Sequence, residues 1–332
     1  MRSRFVFFSI GIFISMLILA KALEASCGVC YIPREAGSAD AESISSGPML
    51  NSPTATTLGR HRSAGGFTFN HQQFNRIPAA HAHALHHADH DIHGKNHEEV
   101  YDMHAGFGLS EDIDVYISAP IVSKASNEIH SHSRLGFDET ASGFGDMRLV
   151  GKYRFWKKYV EAAVLAGVKF PTGNTAELNS AGAKFEAEQQ PGSGSWDGEF
   201  GLAASRRFRK RYSVASSFQY ALRGEGAQDH KLGDVFQMNQ GVSVALREPG
   251  QYPNVHAVVE INSRWALQDH SRETDRVFDS GGTTILATSG FHIEVTKNVA
   301  AFWAMPVPIY QNLGGEHEEL KYEIITGVSF AV

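Results

Sequence analysis

The sequence is poor in cysteine, has no excess of positive charge, and has almost no long apolar runs. Its only cysteines are Cys27 and Cys30, so at most one disulfide can form within the chain. Its formal net charge of -6 at pH 7 gives no electrostatic argument for a nucleic-acid partner. Beyond the N-terminal region, no stretch approaches the ~20 apolar residues that a membrane helix needs. These absences argue against a bundle of membrane helices and against nucleic-acid binding.

The one long apolar run stands at the start of the chain. Arg2 and Arg4 precede the apolar residues 5–20, and small residues follow. A charged start, an apolar centre and a small-residue cleavage site are the parts of a secretory signal peptide. We therefore predict Sec-type export, with cleavage after Ala22 or Ala25. An uncleaved anchor helix is the alternative, and the run is short for one.

The two cysteines lie just past this run, in the stretch CGVC. In an oxidising compartment the simplest interpretation is a disulfide. A metal-binding or redox pair is a second interpretation, for which a lone CxxC is a weak signal. Lipidation of Cys27 is a third, and it is disfavoured because Glu24 stands where a lipoprotein signal usually has leucine.

The rest of the chain repeats a pattern that is clearest in residues 143–170. There, Leu149 and Tyr153 lie on one face of an extended strand. Arg148 and Lys152 lie on the opposite face. A strand that crosses a bilayer in a closed barrel needs about 9–11 residues with this alternation. Twelve segments share it: 65–75, 98–109, 112–122, 144–155, 159–170, 194–206, 211–222, 233–246, 254–266, 282–294, 298–309 and 319–331.

The connections between these segments alternate in length. Odd-numbered links are long, and even-numbered links, such as 156–158, are short. Outer-membrane barrels combine short periplasmic turns with longer outer loops, whereas a soluble sandwich has no reason to keep this order. We therefore predict an all-β fold: a transmembrane antiparallel β-barrel of about 12 strands, with outer-membrane lipid around it in a Gram-negative bacterium.

The predicted layout has three parts. Residues 1–25 form the signal peptide, residues 26–63 form an irregular periplasmic segment, and residues 64–332 form the barrel, with a histidine-rich outer loop at 76–97. In the barrel strands, charged residues fall on the face opposite the apolar one, so we expect them to line the lumen. These residues are Arg148, Lys152, Arg154, Glu161, Lys169, Asp197, Glu199, Glu260, Arg264, Lys321 and Glu323.

Histidine is unusually abundant, with 17 residues, and most lie in the predicted outer loops. Imidazole and carboxylate groups are ligands for zinc, copper and nickel. A metal-collecting loop at the barrel mouth is therefore one interpretation, and a solvated polar loop is the other. The first long link supplies the candidate ligands His81, His83, His86, His87, His90, His93 and His97. The other long links carry His130, His132, His230, His270 and His317, several of them beside Asp or Glu.

Three stretches carry a resemblance to a known family. They are GFGDMRLVGKYRF (143–155), GVKFPTGNT (167–175) and GSGSWDGEFGLAASRRF (192–208). In this order and spacing they resemble the bacterial outer-membrane family labelled "Putative MetA-pathway of phenol degradation". The resemblance implies an outer-membrane β-barrel that passes small solutes, apolar or aromatic ones among them. It brings no catalytic residues, and the abundance of histidine departs from it.

Three functions follow, in descending order of support. The first is a channel or transporter that passes small solutes passively, without a cofactor and without enzymatic activity. The second is a barrel that binds or senses Zn, Cu or Ni through the histidine-rich loop. The third is an outer-membrane lipid hydrolase, which needs a serine–histidine pair. His104, His256 and His292 are the strand histidines for it, and none stands in a nucleophile motif. The oligomeric state is left open.

Overall fold

The computed structural model describes residues 48–75, 93–128, 137–271, 277, 280–314 and 319–332. Within these ranges, no helix is both long and apolar enough to cross a membrane. The described strands are β1 (Ser63–Phe74), β2 (His93–Gly108), β3 (Ile113–Glu128), β4 (Phe137–Phe144), β5 (Arg148–Lys157), β6 (Glu161–Lys169), β7 (Asp197–Phe208), β8 (Tyr212–Leu222), β9 (His230–Lys231), β10 (Val235–Ala245), β11 (Asn254–Ala266), β12 (His270–Ser271), β13 (Gly282–Glu294), β14 (Val299–Leu313) and β15 (Leu320–Ala331).

Thirteen of these strands form one antiparallel sheet that closes on itself. The sheet runs from β1 through β2 and β3 round to β15, which pairs with β1 again. The strands β4 and β5 share one place in the ring, because β4 pairs with residues 121–128 of β3 and β5 pairs with residues 113–118. The ring therefore has twelve positions, and the predicted transmembrane antiparallel barrel is confirmed.

The outer face of the ring is apolar. Large exposed side chains alternate with buried ones in strands such as β5, where Leu149 and Tyr153 are exposed. Closure matters because hydrocarbon cannot hydrogen-bond to an open sheet edge. The alternation that the sequence shows is thus the separation of a lipid-facing side from an inward side.

Connections at the two ends of the barrel differ in length, as predicted. Short turns at 109–112, 158–160, 209–211, 246–253 and 295–298 mark the periplasmic end. Most connections at the outer end are long, with 314–319 as the exception, and two of the long ones carry β9 and β12, which pair with each other outside the barrel sheet.

Part of the predicted periplasmic segment lies elsewhere. Residues 48–58, called the lumen segment below, are irregular, and every one of them is buried. Leu50 packs with Val258 and Phe302 of the barrel wall. Small and polar side chains let this segment enter the lumen, where its backbone and hydroxyl groups meet wall carboxylates. The expectation of a periplasmic lead-in is therefore wrong for these residues.

The strands β2 and β3 are longer than the sequence pattern indicated. β2 begins at His93 and pairs with β3 as far as Glu128. His93 and His97 therefore belong to a strand, and their assignment to an outer loop is wrong. The physical reason is that the buried side chains of this extension, Asn96 and Ser126, are polar, so the sequence there lacks the apolar alternation that marks a strand in lipid.

Candidate functional site

The residues predicted to line the lumen differ in their exposure. Those that are buried are Lys152, Arg154, Glu161, Lys169, Asp197, Glu260 and Glu323. Arg148, Glu199 and Arg264 are half-buried, and Lys321 is exposed near the outer end of β15. Buried charges need partners to offset the cost of leaving water. The partners form two charged layers, one at each end of the barrel.

The periplasmic layer surrounds Arg154 of β5. Its guanidinium contacts Asp112 at 2.7 Å and Glu161 at 3.0 Å. The hydroxyl of Thr56, in the lumen segment, donates to Glu161 at 2.8 Å. Lys152 donates to the backbone oxygen of Thr56 at 2.9 Å. This layer therefore joins the barrel wall to the lumen segment.

Glu260 of β11 holds the next part of the lumen segment. Its carboxylate accepts the backbone N–H of Leu50 at 2.5 Å and that of Asn51 at 3.1 Å. It also accepts the hydroxyl of Ser52 at 2.6 Å. Glu260 is 1% exposed, so an ionised carboxylate here depends on these donors. One wall residue thus anchors three consecutive residues of the lumen segment.

Nearer the periplasmic end, a third carboxylate holds the lumen segment. The carboxylate of Asp114 accepts the backbone N–H of Leu58 at 2.9 Å and the hydroxyl of Tyr116 at 2.8 Å. Farther along the segment, the backbone N–H of Ala55 donates to the Ser205 hydroxyl at 3.2 Å. The contacts come from β3, β6, β7 and β11, so the segment spans the lumen rather than following one wall.

The outer network, defined here as Asp146, Lys169, Asp197 and Arg223, forms the second charged layer. The Asp197 carboxylate lies 2.6 Å from both the Lys169 ammonium and the Arg223 guanidinium. Lys169 also lies 3.4 Å from Asp146. All four side chains are nearly inaccessible to water. The network therefore ties together the outer ends of β6 and β7 and the connections that follow β4 and β8.

The three stretches that carry the family resemblance meet at Asp146. Its carboxylate accepts the backbone N–H of Gly173 at 2.9 Å and that of Ser193 at 2.8 Å. Asp146 belongs to the first stretch, Gly173 to the second and Ser193 to the third. A Cβ on Gly173 would lie 2.6 Å from the Gly192 Cα, so only glycine fits this contact. The motifs build one structural site, which fastens connection 170–196 over the interruption between β4 and β5.

An apolar band separates the two charged layers. It includes Val150, Ala163, Leu165 and Ala203, and it packs against Ala55 of the lumen segment. A cavity of about 30 Å³ lies against Val150 and Leu165, and Glu199, Gln219 and Gln237 also line it. The wall at this level is therefore mainly apolar, with a few polar groups beside the cavity.

The strand histidines of the hydrolase hypothesis lie inside the barrel. The His256 imidazole is 3.3 Å from Glu294, and its ring centroid is 6.0 Å from that of His292. His104 lies on a different part of the wall, 3.7 Å from Asp102. The three histidines therefore form no single constellation, and His256 and His292 face the lumen with Glu294.

A cluster of metal-ligating side chains is present at the outer end, and the sequence pattern did not identify it as a unit. The His230 imidazole lies 3.2 Å from Asp269 and 3.6 Å from Glu188. The hydrogen bond to Asp269 raises the pKa of His230, and burial raises the pKa of the Glu188 carboxyl. We call these three residues the rim cluster. His230 was among the loop histidines, whereas no histidine or periodic signal marked Glu188.

The predicted ligands His81, His83, His86, His87 and His90 lie outside the described residues, as do Cys27 and Cys30, the signal peptide, His130, His132 and His317. Among the described candidates, the His97 ring stacks on His71 at a centroid distance of 5.7 Å. His71 in turn lies 3.2 Å from Glu99. The metal role of the histidine-rich loop stays a prediction.

Both the sequence and the fold of this chain are similar to those of known proteins. A family model described as "Putative MetA-pathway of phenol degradation" matches residues 95–260, which is half of the chain. The chain is similar to the crystal structure of an outer membrane channel from Pseudomonas putida F1, with a TM-score of 0.60 and 11% identity over 85% of this chain and 100% of that one. That identity speaks for the fold alone.

Two further solved structures are more distantly similar. One is the β domain of the Bordetella autotransporter BrkA, with a TM-score of 0.43 and 7% identity over 81% of this chain and 100% of that one. The other is the NanC porin, with a TM-score of 0.42 and 9% identity over 81% of this chain and 98% of that one. No curated protein matches the sequence.

Proposed function

Because this chain belongs to the family described as "Putative MetA-pathway of phenol degradation", we propose that it is an outer-membrane channel for small, weakly polar solutes. It would reach the outer membrane of a Gram-negative bacterium by Sec-type export, with residues 1–25 as the signal. The observation that carries the proposal is a closed barrel whose lumen holds an irregular piece of chain, the lumen segment, that is not part of the sheet.

The lumen segment has the properties of a gate. It is held to the wall by hydrogen bonds and packing rather than by strand pairing. A hydrogen bond contributes about 1 kcal/mol net. Releasing the three Glu260 contacts would then cost about 3 kcal/mol, which favours the closed state on the order of a hundredfold. The channel is therefore expected to be mostly closed, with brief openings.

The lining favours weakly polar solutes. Val150, Leu165 and Ala203 form an apolar surface between the two charged layers. An apolar surface of this kind gains free energy by covering an apolar or aromatic solute. The expected substrates are small molecules of the phenol type rather than sugars.

Conductance in planar bilayers tests the gate. The mature chain is expected to show low conductance with short openings, and a variant without residues 48–58 is expected to show a stable, larger conductance. Glu260→Gln, which weakens the anchor, should raise the open fraction. Glu248→Gln is the matched control, because Glu248 lies in a short turn and is exposed.

Solute preference is tested on the open variant. Phenol is expected to reduce the ionic current through the variant that lacks the lumen segment, and arabinose at the same concentration is expected to leave it unchanged. If deletion produces no increase in conductance while the barrel remains folded, the channel proposal is wrong. If phenol and arabinose act alike, the substrate class is wrong.

A further inference from the structure

Three outer connections meet at the rim cluster. Glu188 comes from connection 170–196, His230 from β9 and Asp269 from the residues before β12. One ligand atom from each residue lies within 4.8 Å of the other two. The three residues are far apart in sequence, so the fold, and not a local turn, brings these donors together.

The donors suit a divalent transition-metal ion. An imidazole nitrogen and two carboxylate oxygens form a mixed N/O set that zinc, nickel and copper accept. Two carboxylates side by side repel each other, and a dication placed between them removes that repulsion. We propose that Glu188, His230 and Asp269 bind one divalent ion of the Zn²⁺ class, with water completing the coordination.

Neighbouring hydrogen bonds hold the three donors in place. The backbone N–H of Gly233 donates to Asp269 Oδ1 at 2.6 Å, while Oδ2 is the oxygen that faces His230. The Lys124 ammonium donates to the backbone oxygen of Glu188 at 2.8 Å. The pairing of β9 with β12 fixes the main chain of His230 beside that of Ser271. Partners that orient ligands in this way increase metal affinity.

Burial separates the rim cluster from an ordinary surface ion pair. The side chains of Asp269, His230 and Glu188 are 8%, 13% and 34% exposed. Two donors are thus nearly enclosed, and the third leaves an approach from the outer solvent. Surface acids in water bind cations with little selectivity, whereas partly enclosed donors of fixed geometry prefer particular cations.

A metal ion at this position would have a structural consequence. It would join the connections after β6, after β8 and after β11, all of which lie at the outer mouth. Binding to the folded arrangement alone stabilises that arrangement. The bound ion would therefore restrain the outer mouth, at the end of the barrel opposite the periplasmic entrance of the lumen segment. This inference does not depend on the solute or on the gate.

The competing explanation is that a protonated His230 is itself the cation between the two acids. Metal titration separates the two explanations. The full-length mature chain is titrated calorimetrically with Zn²⁺ and with Ni²⁺, and so is a variant without residues 80–91, which removes the loop histidines His81, His83, His86, His87 and His90. The shortened variant is expected to keep one site per chain.

Substitutions then assign that site. In the shortened variant, His230→Ala and Asp269→Asn are each expected to lower Zn²⁺ affinity at least about tenfold, because even outer-shell partners of a metal cost 10–100-fold. In the full-length chain, the same substitutions should remove one equivalent of bound metal. His71→Ala is the matched control, since His71 also pairs with a single outer carboxylate, Glu99, and it should change affinity less than twofold.

A second readout guards against misfolding. Each variant is checked for heat-modifiable migration in SDS, and Cu²⁺ bound to the shortened variant should give an electron paramagnetic resonance signal with one nitrogen ligand. The proposal is overturned if the shortened variant binds no metal, which would leave the protonated His230 explanation. It is equally overturned if metal binds but His230→Ala leaves the affinity unchanged.

Discussion

In the outer network, Asp197 is the carboxylate that contacts two cations. It joins Lys169 and Arg223 at 2.6 Å each and accepts the Ser195 hydroxyl at 2.8 Å. Its side chain is fully inaccessible to water. Removing one member of a buried charge group leaves the others uncompensated, which is more costly than never having had the group. The stability of the outer end therefore depends on this carboxylate.

Asp197→Asn is expected to lower the free energy of unfolding by about 3–5 kcal/mol, because Arg223 and Lys169 each lose the carboxylate 2.6 Å away and only Lys169 keeps Asp146 nearby, at 3.4 Å. Urea unfolding in lipid vesicles measures the change. Glu248→Gln, at an exposed ion pair with Lys210 at 3.9 Å, is the control and should shift stability by less than about 1 kcal/mol. Equal effects for the two variants would contradict the importance of the outer network.

Gly173→Ala is expected to destabilise the protein by about 1–3 kcal/mol, because its Cβ would overlap the Gly192 Cα. The measurement is the same urea titration, combined with protease cleavage within connection 170–196, which should become faster. Gly151→Ala is the control, since its Cβ would meet only the Ala166 backbone oxygen, at 3.8 Å. If Gly173→Ala behaved like Gly151→Ala, the close packing of the two glycine motifs would be unimportant.

At the scale of elements, the lumen segment differs from the strands around it, because it fills the inside of the barrel and is not part of the wall. It lies inside the ring without pairing with any strand, and the contacts that hold it are side-chain carboxylates and hydroxyls. A cross-link can therefore test whether it moves. Ala55 and Ser205 suit this purpose, because the Ala55 N–H already reaches the Ser205 hydroxyl at 3.2 Å.

In a background in which Cys27 and Cys30 are replaced by serine, Ala55→Cys with Ser205→Cys is expected to form a disulfide on oxidation. Bilayer recordings should then show fewer openings, and a reductant should restore them. Each single substitution serves as a control and should be insensitive to oxidation. Openings that persist at the same frequency in the oxidised double variant would contradict motion of the lumen segment.

The elements also show what the sequence could predict. The strands in lipid were predictable, because hydrocarbon on one side and a polar interior on the other impose the two-residue period that Leu149 and Lys152 display. The extension of β2 to His93 was not, because its buried side chain, Asn96, is polar and gives no apolar period. The lumen segment was not either, since its hydrogen bonds to Glu260 and Asp114 join residues that are distant in sequence and leave no periodic signal.

The candidate site was likewise predictable from the sequence only in part. Asp146, Ser193 and Asp197 stand within the stretches that carry the family resemblance, so their importance could have been inferred from those motifs. Their convergence could not, because it depends on how connection 170–196 folds back over the wall. No sequence pattern marked Glu188 as a site residue. It is one acid in an irregular connection, and only the fold brings it beside His230.

At the scale of the whole molecule, the barrel has two unlike ends. The short turns, the start of β1 at Ser63 and the residue after β15, Val332, lie at one end, and the rim cluster lies at the other. With the short turns toward the periplasm, as in outer-membrane barrels, the rim cluster is expected to face the outside of the cell. The attachment of the lumen segment is then expected to face the periplasm.

Orientation is tested by labelling intact cells with a membrane-impermeant maleimide. In a background without the native cysteines, Ala181→Cys in connection 170–196 should be labelled, because this residue is exposed at the outer end. Gln251→Cys, exposed in turn 246–253, should be labelled only after the cells are broken. Labelling of Gln251→Cys in intact cells would reverse the assignment of the two ends.

The joint between β1 and β15 has a consequence for how the barrel is made. β1 continues directly from the lumen segment, and the backbone of Ser63 bonds to that of Val332 where the ring closes. Sealing the wall therefore also fixes the point from which the occluding residues enter. A newly inserted copy would acquire its wall and its obstruction in one assembly event, so the cell would be spared a leak through unfinished barrels.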